Sequence, residues 1–96
     1  MNNEELIDIE ISVYLKGVRN FELIESIVRI EGLYQSQTSW EVIWTFETML
    51  QPRTNILRIK KAPLYRVLVV HKGFKKHMET ITLKNIGKVA VMLEKE

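Results

Sequence analysis

The stretch from Leu64 to Lys72 constrains this chain more than any other. It reads Leu-Tyr-Arg-Val-Leu-Val-Val-His-Lys, rich in β-branched and aromatic side chains and free of glycine and proline. On a strand, Leu64, Leu68 and Val70 point one way, and Tyr65, Val67 and Val69 the other. A strand apolar on both faces belongs inside a sheet, covered on both sides or with its outer side partly covered. Cations surround it: Lys60 and Lys61 before, Arg66 within, and Lys72, Lys75 and Lys76 after.

The 96 residues leave room for a single domain over 1–96 with one modest core. A 46% hydrophobic and 27% charged composition is that of a folded chain. No apolar run is long enough to span a bilayer as a helix, so no membrane partner is expected. The polar, acidic start Met1–Glu5 does not read as a signal peptide, and a cytoplasmic setting is the simplest expectation. Cysteine is absent, which excludes disulfides, thiolate metal sites and a cysteine nucleophile. The net charge of +2 hides an asymmetry. Residues 1–50 carry three basic and nine acidic side chains, and residues 51–96 eleven and three. Such a division marks either a surface for phosphate or an acidic partner, or two halves that interleave and neutralise across strands, with Glu10, Glu22, Glu41 and Glu47 as acceptors.

Leu6–Leu15 alternates cleanly, with Ile7, Ile9, Ile11, Val13 and Leu15 on one face, and predicts a half-buried strand. Asn20–Glu31 is read as a helix. At about 100° per residue Leu23, Ile24, Ile27, Val28, Ile30 and Tyr34 gather on one side, Asn20 caps the start and Gly32 the end. Trp40–Met49 reads as a second half-buried strand with Trp40, Val42, Trp44 and Phe46 on one face. A turn at Gln51–Asn55, a short strand Ile56–Lys60 and a break at Ala62-Pro63 lead into Leu64–Lys72. Phe74, Met78 and Ile81 recur at helical spacing, which favours a short second helix from about Phe74 to Glu79. Thr80–Leu83 after it is strand-like, and Val89, Val91 and Leu93 alternate toward the end.

The fold class expected is α+β: a two-layer sandwich with a mostly antiparallel sheet of four to six strands, one early helix and a short second one. Merging the two middle strands gives the βαββαβ order of ferredoxin-like folds. The core expected holds Ile9, Ile11, Val13, Ile24, Ile27, Trp44, Leu68 and Val70.

Motifs for chemistry are missing. His71 and His77 stand without cysteine or a ligand-spaced partner, so no metal is expected. There is no G-x-S-x-G turn, and Gly17, Gly32, Gly73 and Gly87 are too scattered for a phosphate loop, so neither a catalytic residue nor a cofactor is assigned. Most acids occupy the solvent faces of the expected elements, and Trp40 and Trp44 read as core. What remains is a small non-enzymatic binding module whose basic half contacts nucleic acid or an acidic protein through Lys60, Lys61, Arg66, Lys72, Lys75 and Lys76. Tyr65 and Phe74, set among these cations, are the candidates for base stacking. A self-associating structural or adaptor protein is the alternative, motivated by Leu33, Ile43 and Met92 and by the oppositely charged halves, and makes a homo-oligomer the partner.

The string His71-Lys72-Gly73-Phe74-Lys75-Lys76, with Tyr65-Arg66-Val67-Leu68 upstream, resembles the basic Gly-Phe-x-Lys-type segment of RelE/HigB-like toxins. That resemblance covers only these stretches. It implies a ribonuclease acting on translated messenger RNA, with two helices ahead of the main sheet.

Overall fold

The clean alternation of Leu6–Leu15 becomes strand β1, with Ile9, Ile11 and Val13 buried and Asp8 and Glu10 exposed. Six more strands follow in the structure, a computed structural model that describes residues 5–15 and 25–96: β2 (Ser26–Gln35), β3 (Trp40–Leu50), β4 (Asn55–Lys60), β5 (Leu64–Val70), β6 (His77–Thr82) and β7 (Lys88–Leu93). They form two sheets. In the first, β1 lies between β4, antiparallel to it, and β7, parallel to it. In the second the order is β3-β2-β5-β6, antiparallel throughout.

One buried cluster joins the two sheets. Ile9, Ile11, Val13, Ile59, Val89, Val91 and Leu93 come from the first, and Val28, Ile30, Leu50, Tyr65, Val67 and Val69 from the second. The β1/β4 pair in one sheet and the β2/β5 pair in the other interlock, because the chain changes sheet after β1, β3 and β4. At the corner entering β5, the buried Tyr65 hydroxyl accepts from the Ala62 amide (2.8 Å) and donates to the Lys60 carbonyl (3.2 Å). Interlocked pairs and a tyrosine corner are features of immunoglobulin-type sandwiches, an architecture that licenses no particular activity.

The α+β expectation is overturned: the described residues contain no helix. Over Ser26–Glu31 the chain is strand, with Ser26, Val28 and Ile30 buried and Ile27 and Arg29 exposed; residues 20–24 of the expected helix lie outside the described residues. The helical periodicity arose because β2 carries apolar side chains on both faces. Ile27, Val28 and Ile30 are β-branched, with a restricted χ1 that suits a pleated surface better than a helix, and pairing to β3 and β5 on both sides decides the matter. Gly32 ends no helix; it sits within β2. The short second helix is also replaced. Gly73, at φ 89°, turns the chain, the Lys75 amide donates to the Glu94 carbonyl (2.7 Å), and β6 follows with Ile81 inward and Met78 exposed. The helices implied by the toxin resemblance have no counterpart among the described residues.

The expected core is corrected in part. Ile27 and Val70 are 45% and 37% exposed, and Leu68 and Trp44 are half-buried. Ile24 lies outside the described residues. On β5 the opposite face is buried, through Tyr65, Val67 and Val69. The expected common face of Trp40, Val42, Trp44 and Phe46 is split by an irregularity in register. Gly32 pairs with Trp44 but Leu33 with Val42, so Ile43 is the extra residue of a bulge, and Val42 and Trp40 turn to the opposite face.

Candidate functional site

Among the described residues, β3 and β4 are the edge strands of the two sheets on one side of the sandwich, joined by a tight turn. Asn55 closes that turn. Its Oδ1 accepts from the Gln51 amide (3.1 Å), and its Nδ2 donates to the carbonyls of Gln51 (3.0 Å) and Arg53 (2.8 Å). The Ser12 and Thr54 hydroxyls, 2.9 Å apart, tie the turn to β1.

Between these edges lies a groove of about 520 Å³ that takes Trp44 and Ile43 from β3, Lys60 from β4 and Lys61 and Pro63 from the corner after it. A smaller extension of about 240 Å³ continues past Trp44 and Lys60 to Phe46, Arg58 and Leu6. Trp44 and Phe46 pack partly against the core and form an apolar floor. The Trp44 ring leans on Tyr65, centroids 5.9 Å apart at 58°. Ion pairs line the rim: Arg58 donates to Asp8 (3.0 Å) and Lys61 to Glu5 (2.9 Å), and the exposed Lys60 stands beside them. The hydrogen bond to Asp8, and then that carboxylate's charge, raise the Arg58 pKa above its ordinary value. The groove can therefore hold an apolar group on its floor and a carboxylate on its rim.

The six sequence-predicted cations fall in three places. Lys60 and Lys61 are at the groove. Arg66 lies mid-strand on the outer face of β5, where its Nε donates to Glu31 (2.6 Å). Lys72 stands just beyond β5, and Lys75 and Lys76 border a shallow pocket with His77, Met92 and Glu94, the Lys75 ammonium 3.8 Å from Glu94. The length of β5, roughly 20 Å at ~3.3 Å per residue, separates the Lys60–Lys61 group from the Lys72–Lys76 group. Tyr65 offers no face for stacking, because it is fully buried; burial also pushes its pKa above 10.0. Phe74 is half-buried, its ring 5.4 Å from that of His71. No cluster of three metal-ligating side chains exists among the described residues.

Sequence reasoning missed Arg58, Trp44 and Phe46 as site residues. Their role comes from β3 and β4 being neighbouring edges, a property of topology that no local pattern displays. Among the described residues, cations of the second half pair with Glu5, Asp8 and Glu31 of the first, while Glu47 pairs with Arg29 of its own half; Glu22 lies outside the described residues. No protein family model, curated protein or solved structure matches this chain.

Proposed function

We propose that the chain is a non-enzymatic binding module whose β3–β4 groove takes an extended, carboxylate-bearing segment of a partner protein, added as a strand along the free edge of β4. The observation that supports it is an aromatic floor beneath a rim carrying Arg58, Lys60 and Lys61, between two sheet edges that no other described strand covers. An edge strand presents unpaired N–H and C=O groups, and strand addition satisfies them while alternate side chains enter a pocket. One apolar side chain of the segment rests on Trp44 and Phe46. Carboxylates of the segment meet Lys60, Lys61 and Arg58. The Glu5 and Asp8 pairs they displace are surface pairs, worth at most about 1 kcal/mol each. The rim also selects against a second copy of β4, which would crowd two sets of Arg58 and Lys60 together.

The test is an NMR titration with a peptide of about ten residues alternating glutamate and valine, long enough to match a strand. The reading expects amide shifts confined to β3, β4 and Glu5–Leu6, and none from a peptide with lysine in place of glutamate. Absence of shifts in β3 and β4 would refute it. The second reading, a polyanion at the exposed Lys72 and Lys76, expects instead that short DNA or RNA perturbs the Lys72–Lys76 segment, with an effect that falls steeply as salt rises.

A further inference from the structure

A second surface stands apart from the groove. On the outer face of the four-stranded sheet, Met49, Ile27 and Val70 lie side by side in register, and Leu68 and Met78 pair one level along. Met49 is 54% exposed and Met78 62%, so this patch is open to solvent. Beside the patch the same face carries Arg29–Glu47 (3.7 Å), and at the next level Glu31–Arg66 (2.6 Å). Contiguous apolar side chains on a sheet face mark an interaction surface more often than a solvated one.

We infer that two copies of this chain pair face to face through this surface, about a two-fold axis running parallel to the strands between β2 and β5. Charge selects both the occupant and the axis. β2 and β5 are neighbours, with Glu31 opposite Arg66 and Ile27 opposite Val70. Rotation about that axis exchanges the two strands at the same level. Glu31 then meets the partner's Arg66, Arg66 meets the partner's Glu31, and Ile27 meets the partner's Val70. Leu68 meets the aliphatic stem of the partner's Arg29. An in-plane axis across the strands at the Glu31 level sets two Glu31 carboxylates against each other instead, and like charges at an interface cost several kcal/mol. Four strands at about 4.8 Å spacing and roughly 25 Å of strand length give a face of about 500 Å² per copy. Two such faces bury about 1,000 Å², the lower bound for a specific interface, so the dimer is weak and concentration-dependent.

Sedimentation across about 10 μM to 1 mM tests this inference, with circular dichroism to confirm the fold of each variant. The unaltered chain goes from monomer to dimer across that range, and Ile27→Lys, at an exposed position, remains folded and monomeric. Glu31→Arg and Arg66→Glu are each monomeric alone, and an equimolar mixture of the two restores a dimer containing one of each. A chain that stays monomeric at about 1 mM, a dimer indifferent to Ile27→Lys, or a mixture that stays monomeric would each overturn the inference. None of these outcomes bears on the groove, whose Trp44, Lys60 and Lys61 lie off this face.

Discussion

The indole of Trp44 fills the space that a side chain on Gly32 would need. An added Cβ at position 32 would overlap the Trp44 ring at Cε2 and Nε1. Gly32 is the register partner of Trp44 on one side and of Tyr65 on the other, so its bare backbone lets the indole cross β2 and reach Tyr65. The floor of the groove and the tyrosine corner are thereby one packed unit.

Gly32→Ala follows directly. In a strand this change is ordinarily neutral or stabilising, but here the overlap forces Trp44 to move, and overpacking of this kind costs on the order of 1–3 kcal/mol. Denaturation followed by tryptophan fluorescence measures it, and the displaced indole also alters the native-state spectrum.

Tyr65→Phe removes the hydroxyl that serves both Ala62 and Lys60, leaving polar backbone groups unpaired at the corner. A loss of about 1–3 kcal/mol is expected, with faster amide exchange at Ala62. The pH dependence has a definite sign. Because burial raises the folded pKa above 10.0, the stabilisation is present below that value and is lost as pH rises past it. The phenylalanine variant lacks this alkaline loss.

Glu31 behaves in the opposite sense. Its hydrogen bond from Arg66, reinforced by the charges of Arg66 and Arg29 and opposed by desolvation, holds its pKa below 4.5. The contribution is therefore present above 4.5 and disappears as pH falls through the folded value. The pair is partly exposed, so Glu31→Gln costs only about 1 kcal/mol at neutral pH and less at an acid pH below 4.5. Urea denaturation at the two pH values distinguishes these cases.

How far the fold was legible depended on whether a strand's two faces differ. In β1, Ile9, Ile11 and Val13 alternate with Asp8, Glu10 and Ser12, and both the strand and its buried face follow from the pattern. In β5 both faces are apolar, and the choice between Leu68–Val70 and Val67–Val69 depends on which side meets the other sheet. Val67→Ala and Val70→Ala separate the two sides. The first, fully buried, should cost on the order of 2 kcal/mol; the second, on the open face, should cost under about 1 kcal/mol by denaturation of dilute protein. β2 was misread because apolar side chains on both faces of a strand imitate a helical stripe. The groove itself was hidden, since Trp44 and Lys60 are distant in sequence and meet only through the two edges.

The binding claim is tested most directly by the fluorescence of Trp44. Trp40→Phe leaves it the only tryptophan in the chain, at the floor of the groove. Titration of that variant with the alternating glutamate–valine peptide should shift the emission of Trp44 with a saturating, micromolar-to-millimolar midpoint. Adding Lys60→Glu and Lys61→Glu should weaken binding at least tenfold, a change of about 1.4 kcal/mol, without loss of fold. An emission unchanged by the peptide, or a titration indifferent to the two charge reversals, would contradict the account.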